Sequence, residues 1–591
     1  MNDPRAYYTA LAAERRERAA SLQGRYDRLA LLRLVAFFAA VGLLIVAWSH
    51  SLTAGLLTTA GVVPLAVYGV RRHLHLQFRA TEAQVQYELA EGELRALDHD
   101  FAHYPDGLGF LRTDHPYAVD LDIFGPHSMY QFVNRTVTAP GAQRLADHLT
   151  VPADHATARD RRVAGEALRD EPDWCLRFRT AGHGLKDDPD NVRKLLEWIE
   201  RPAVADGTDV RLMRWLAPLL AVAGAWWCFT QSPWQAGLLA FVPAILTLRR
   251  YRHIVAAEHA YTASAGAMLG TYAELLELVE ARRPDRIPGA ARAVRKLGYA
   301  ASQLDVRYNP FVIVLEVTGL WTLQWLYRLD RWRERHRNEL ADWLELLAQT
   351  DALVSWGTLR YNRPGWAEAE LTDEPILEGH ELGHPLLRPA TRVTNDIEIA
   401  TDGHIHLVTG SNMAGKSTWL RTVAINVVLA RAGAPVCGRH LRTAALQIWT
   451  SMRTQDDLSE STSSFYAELK RLKAIIEAVG TPGQQVFFLL DEILKGTNSR
   501  DRHTGSRALI RQLIRERGAG IIATHDLELA EMEKEAGSRV ENYAMEVQTR
   551  DGELVFDYKL HRGVSRSFNA TALMARMGIK IDPEDIKLTH D

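Results

Sequence analysis

Two stretches of this chain run free of formal charge for longer than a folded core usually permits. Leu34 to Val70 holds no Asp, Glu, Lys or Arg, and His50 is its one basic candidate; Trp215 to Leu248 is equally bare. Each is long enough for two apolar spans of about 18 residues, near the lower limit for crossing a bilayer. Ser49 to Thr53 offers the turn in the first block, and Thr230-Gln231-Ser232-Pro233 the turn in the second. Trp226, Trp227 and Trp234 stand beside that second turn, where aromatic rings suit a membrane–water boundary. Two buried helical hairpins of a soluble protein are the rival reading, but uncharged runs this long are rare in soluble cores. A cleaved signal peptide fits less well, because the basic lead is long and a second apolar span comes at once after the first.

Arginines bracket both blocks. Arg25, Arg28 and Arg33 precede the first and Arg71 and Arg72 follow it; Arg211 and Arg214 precede the second, with Arg249, Arg250 and Arg252 behind it. The turns carry no Lys or Arg, so the positive-inside rule puts all hairpin bases in the cytoplasm and predicts a multi-pass protein of the cell (inner) membrane. Pro310 to Tyr327 is a third apolar stretch, interrupted by Glu316. It is expected to be a buried or interfacial helix, since a fifth span would export the C-terminal part of the chain.

Elsewhere the first two thirds of the chain have helical spacing. Residues 76–98 and 253–283 do, and 324–360 predicts a long amphipathic helix or helix pair whose Arg/Glu face is a solvated surface sooner than a DNA-binding stripe. Arg363-Pro364-Gly365 breaks the pattern. Beyond it come short apolar strands: Ile405–Thr409, the run VFFLL ending at Leu490, and Gly520–Thr524, then a hairpin turning at Asp551-Gly552. The expected architecture is an α/β P-loop NTPase domain at the C-terminus, preceded by an all-α core and lever region with two transmembrane hairpins. The expected divisions are a basic helix (1–33), hairpin one (34–70), a helical linker (71–117), helical core (118–210), hairpin two (211–250), long helices (251–365) and the nucleotide-binding domain (366–591).

Composition changes this picture little. The 591 residues carry a net charge of -3, which announces no nucleic-acid partner, and three scattered cysteines suggest neither a disulfide framework nor a zinc site. Candidate chemistry changes it more. Gly410-Ser411-Asn412-Met413-Ala414-Gly415-Lys416-Ser417, followed by Thr418, fits G-x-x-x-x-G-K-[ST] between a strand and a helix that Gly433 can end. Backbone N–H groups there can cradle the phosphates of ATP, with Lys416 on the β/γ-phosphates and the Ser417 hydroxyl on Mg²⁺. Asp491 and Glu492 close a second buried strand, Asp491 for the Mg²⁺ shell and Glu492 to deprotonate the attacking water. His525 ends the third strand, placed to contact the γ-phosphate or that water.

Thr409–Thr418, Leu490–Asn498 and Ala523–Asp526 together resemble the ATPase domain of the MutS family. So do Asp456-Asp457-Leu458 with Ser463–Glu468, Gly383–Leu386 with Asn395-Asp396, and the tail Tyr558–Gly578; Leu121–Leu149, with Asn134–Thr138 and Gly141, is more faintly similar to the start of that family's helical core. The resemblance implies a homodimer joined through its ATPase domains, with Ser463 of one subunit reaching the γ-phosphate held by the other. It also implies Tyr543 stacked on adenine, Arg392 over the other face, and double-stranded DNA as a partner in mismatch repair or recombination. Ser411 and Ala414 stand where the family usually has Pro and Gly. No mismatch-reading domain or aromatic-x-Glu wedge precedes the core; membrane hairpins stand there instead. The expected function is thus a membrane-anchored, dimeric, ATP-hydrolysing switch that binds DNA. The alternative is an ATP-driven membrane scaffold or signalling motor without DNA. An ABC transporter is disfavoured, because residues 456–468 contain no L-S-G-G-Q.

Overall fold

The computed structural model describes residues 3–262, 265–306, 310–411, 413–453, 464–535, 537–550 and 553–565. They form two compact units that are not consecutive stretches. One gathers Met1–Leu94, Arg135–Arg144 and Asp173–Ala352; the other gathers Arg95–Asn134, Leu145–Pro172 and Leu353–Asp591.

The first unit is built of helices. Asp3 caps the helix Pro4–His50 by accepting from the Arg5 backbone N–H, and Pro4 fills the first turn, where its missing donor costs nothing. The chain breaks at extended Ser51 and returns as Leu52–Leu97. Pro4–His50, Leu52–Leu97 and Thr208–Thr230 are long and apolar enough to cross a membrane, and their apolar windows are only 0%, 6% and 17% buried. Phe38 and Leu57, 66% and 71% exposed, typify that surface. Contiguous runs of exposed apolar side chains of this kind are uncommon on soluble monomers.

The limb after Thr230 takes a different form. Residues Trp234–Phe241 wind as 3-10 turns before the α-helix Val242–Thr262 begins. Gly237 packs on Gly224 so closely that a Cβ on either would lie 2.6 Å from the other's carbonyl oxygen. Pro310–Tyr327 is likewise not one helix. It divides into Pro310–Gly319 and Trp321–His336 at Leu320, whose φ is +51°. Glu316 explains the break: its carboxylate accepts from the Thr322 amide and hydroxyl at 3.0 and 2.9 Å, capping the second helix. The 324–360 pattern becomes a helix pair, Trp321–His336 and Leu340–Asn362.

Two buried carboxylates organise this unit. Glu93 is fully buried and takes Arg135 Nε and Arg179 Nη1 on one oxygen, each at 2.6 Å. The two guanidinium groups outweigh the effect of burial and hold its carboxyl down at about 2. Asp351 has no such cation. It accepts from the Thr138 amide at 2.8 Å and hydroxyl at 2.7 Å, and burial pushes it up to about 7. Gly141 lets the carboxylate approach, since a Cβ there would lie 2.1 Å from Asp351 Oδ2.

The second unit carries a six-stranded sheet. In order across it run Glu553–Arg562, Val540–Arg550, Ile405–Gly410, Ala519–Thr524, Val486–Asp491 and Gln447–Ser451. All neighbours pair in parallel except the first two, which form the hairpin; its turn, Asp551-Gly552, lies outside the described residues. Central strands read as unbroken apolar runs because both faces are covered. Leu407, Phe488, Leu490 and Ile522 are fully buried. Register aligns the strand ends: Thr409 faces Thr524, and Asp491 faces Ala523. A smaller four-stranded sheet, Glu370–Leu371, His440–Thr443, Ile376–Leu382 and Asn395–Ala400, and an antiparallel pair, Ala367–Glu368 with Pro435–Val436, belong to the same unit.

Candidate functional site

The aligned carboxyl ends of three parallel strands bring together residues more than a hundred positions apart. After Ile405–Gly410 the chain turns through a glycine-rich loop into the helix Lys416–Ala432. Gly410 and Gly415 adopt φ of +154° and +101°, and a Cβ on Gly410 would lie 2.4 Å from the Met545 carbonyl oxygen. Met413 takes a φ of +71° without being glycine, a strained loop conformation of the kind that gathers at ligand sites. Ser417 and Thr418 are exposed at the first helical turn, where amides lack intrahelical acceptors. Gly433, at φ +75°, ends the helix. Asn412 is outside the described residues, as are Ser463 and Asp456-Asp457-Leu458.

Lys416 is 5% exposed and folds back over the loop, donating to the carbonyls of Gly410 at 2.8 Å and Ser411 at 3.1 Å. Burial lowers its ammonium to about 8, with Asp491 and Glu492 opposing the shift. Glu492 is held from both sides: His525 Nε2 is 2.7 Å from one oxygen and Lys495 Nζ 3.2 Å from the other. The hydrogen bond from His525 is the main reason its carboxyl sits down at about 2. A carboxylate only accepts, so the His525 nitrogen facing it carries the proton. The 3.4 Å approach of Lys416 Nζ to that same nitrogen is therefore a contact between two donors. Asp491 Oδ1 and Ser411 Oγ are buried without a hydrogen-bond partner. An orphaned carboxylate oxygen beside a phosphate-type loop fits a hard cation such as Mg²⁺, which takes oxygen ligands.

The sequence assigned no role to several members of this site. Lys495 and Glu468 are two: the Glu468 carboxylate accepts from the Leu494 amide. The backbone between Glu492 and Lys495 is strained, with φ of +50° at Glu492 and +60° at Leu494. Tyr558 is another, since a Cβ on Gly415 would meet its ring at 2.9 Å. Its place in the closing hairpin and family-like tail was the one available hint. His503 Nδ1 lies 2.9 Å from Asp526 Oδ2, tying the helix Ser499–Arg515 to the loop that carries His525. Asp120 accepts from Thr450 Oγ1 and the Met452 and Arg453 amides at 2.7, 3.1 and 3.0 Å, fixing the chain around 120 to the edge of the large sheet. A cavity of about 380 Å³, lined by Asp120, Arg453, Glu468, Asp491, Glu492 and Lys495 among others, opens beside the two acidic residues.

Tyr543 and Arg392 have different immediate neighbours. The Tyr543 ring packs on His406 at 4.5 Å under Arg562 at 5.1 Å, while Arg392 lies over Trp366 and donates to the Leu387 carbonyl at 2.6 Å. Each side chain is thus engaged by a different set of neighbours.

Comparison with known proteins gives similarity over part of the chain. Residues 406–580 match the family model of MutS domain V. The chain is similar to the DNA mismatch repair protein MutS of Granulibacter bethesdensis, 32% identical over 238 residues, which is 39% of this chain and 25% of that protein. The same protein of Aquifex pyrophilus is 31% identical over 222 residues, covering 37% of this chain and 25% of the relative. The DNA mismatch repair protein MSH3 of Phaeosphaeria nodorum is 31% identical over 253 residues, 41% of this chain and 22% of its own length. The chain thus spans about a quarter of the length of the curated relatives it matches.

Proposed function

We propose, from the match of residues 406–580 to MutS domain V, that the chain is a MutS-family protein and a membrane-anchored ATPase of the P-loop type, a dimeric switch that binds double-stranded DNA. The observation that carries the ATPase reading is the meeting of Lys416, Glu492 and His525 at one end of a parallel sheet, around Lys416 contacts that a phosphate could replace. An arriving γ-phosphate takes the Lys416 ammonium from the Gly410 and Ser411 carbonyls, and the exposed amides after Gly415 hold its oxygens. Ser417 and Asp491 would hold Mg²⁺, which supplies charge neutralisation at the bridging phosphate oxygens when bound. Glu492 orients and deprotonates water once His525 lets go of it, and His525, freed from the carboxylate, turns to the phosphate. Tethering to a bilayer is supported by the three long helices with exposed apolar windows. The cytoplasmic side is assigned to the ATPase by the arginines at the hairpin bases. DNA binding in mismatch repair is supported by the relatives, which are DNA mismatch repair proteins; homodimerisation through the ATPase domains, and a role in recombination, rest on the resemblance of residues 406–580 to MutS domain V.

The second reading, an ATP-driven membrane scaffold without DNA, is favoured by the same apolar helices. Duplex titration of the purified chain with and without ATP separates the two. The first reading expects binding that weakens steeply as salt rises; salt-independent or absent binding with intact ATPase activity selects the second. In the same preparation Lys416→Ala should lose ATP binding by at least tenfold, and unchanged binding would remove the loop from the role given to it. The chain should also pellet with membranes after an alkaline carbonate wash and enter solution only with detergent. Release by carbonate alone would refute the anchoring.

A further inference from the structure

Far along the helices from their uncharged halves, the first hairpin carries a second constellation that the ATP site does not use. Arg15 and Arg18, one turn apart on Pro4–His50, face Arg79 on Leu52–Leu97 and Arg177 on Pro172–Gly182 around a cavity of about 270 Å³. Glu82 and Asp173 are the carboxylates on its wall, outnumbered by the four guanidinium groups. They do little to neutralise them. Arg79 reaches Glu82 only at 3.9 Å, and Arg15 finds its own neighbour Glu14 at 3.5 Å, outside the cavity. Asp173 is already engaged, accepting from the Tyr7 hydroxyl at 2.6 Å.

Several polar groups here lack partners. Arg18 and Arg177 make no hydrogen bond or ion pair with any described residue, and the Nε of Arg15 is buried without an acceptor. Gln86 also lines the cavity, is 6% exposed as a residue, and makes no side-chain hydrogen bond with a described residue. A buried donor without a partner, such as the Arg15 Nε, costs free energy unless something fills its hydrogen bond. Planar guanidinium forks converging on one cavity suit the oxygens of a phosphate, which they meet in pairs.

We propose that this cavity is a binding site for a soluble, multiply charged phosphate compound, with Arg18 and Arg177 as the forks and Gln86 as the amide donor beneath. Its height along the hairpin argues for a soluble source. At ~1.5 Å of rise per residue, Arg18 stands about 24 Å before Leu34 and Arg79 about 13 Å beyond Val70. The headgroup layer adds only about 5–8 Å on each side of the hydrocarbon. A lipid phosphate held in the bilayer plane does not reach that far. The site needs no contribution from the glycine-rich loop.

The test uses the full chain in phosphatidylcholine nanodiscs with Lys416→Ala in the background, which silences the loop, and inorganic pyrophosphate as the probe. Calorimetry should show saturable binding, weakened at least tenfold by Arg18→Ala with Arg177→Ala. Gln86→Leu, close in shape, should weaken it as well, and the paired Lys substitutions should fall between because they keep charge and lose the fork. Unfolding is not expected, since Arg18 and Arg177 are exposed, and an unchanged thermal midpoint checks this. Absent pyrophosphate binding, or an affinity indifferent to the double substitution, overturns the site. In a second arm, both proteins are purified from phosphatidylglycerol-containing membranes and their retained lipid is weighed. Phosphatidylglycerol held by the parent and lost by the variant, without pyrophosphate binding, would overturn the soluble source.

Discussion

Glu492→Gln should leave ATP bound while cutting turnover about 100- to 10,000-fold, the range that loss of a positioned general base removes. The substitution keeps the shape of a side chain gripped by His525 and Lys495 but takes away its capacity to accept a proton. Filter binding of labelled nucleotide with magnesium reads the first quantity, and phosphate release reads the second. Normal turnover would show that water is activated elsewhere. The pH profile offers a separate check. Glu492 sits near 2 while His525 donates to it, so it remains ionised throughout the mildly acidic range and should impose no acid limb on kcat/KM there. His525→Ala removes the largest cause of that depression. The Glu492 carboxyl should then climb toward the ordinary carboxylate range and an acid limb should move up with it. An unmoved limb would mean that the resting pair has no part in the catalytic cycle.

The second large effect concerns stability. Glu93→Gln should cost about 3–5 kcal/mol, because it leaves Arg135 and Arg179 buried with no counter-charge. A fall in the thermal midpoint of the detergent-solubilised chain measures it. Replacing all three residues with Met should cost much less than the single change, since buried charges and their partner then leave together. Equal losses would point to shape, not charge, as what the cluster supplies. The pH sign comes from the lowered carboxyl: the contribution of Glu93 is complete above the unfolded carboxylate value and is lost as pH falls through about 2.

The chemistry of the loop was legible because it is written contiguously. Gly410 to Thr418 must supply backbone shape, a cation and a hydroxyl within one turn, and Asp491-Glu492 and His525 each close an apolar strand whose register could be guessed from its burial. The partners of Glu492 were not legible in the same way. Lys495 reaches it through backbone of positive φ at Glu492 and Leu494, which no residue type there announces. Tyr558 reaches Gly415 across the sheet, and Asp120 reaches Thr450 across more than three hundred positions. The interleaved units were hidden for a related reason. The stretch from Arg135 to Gly141 looks like part of a family signature, yet its physical work is to meet Glu93 and Asp351, which stand on distant helices. The break at Leu320 could have been suspected, because Glu316 was the one charge in an apolar run, but its service as a cap for Thr322 depends on the bend it creates.

The first hairpin has a mechanical consequence. Its two helices, 47 and 46 residues long, each extend roughly 70 Å, whereas a hydrocarbon layer is about 30 Å thick. In the membrane-anchored reading proposed above, more than half of each rod lies outside the hydrocarbon. Two stiff, antiparallel rods fastened at one tip behave as a mast: a tilt of a few degrees at the greasy end sweeps the charged end through several ångströms. A flexible leash would absorb such a movement, whereas this rod carries it to Arg135 and Arg179, which grip Glu93 near the far end of the second helix.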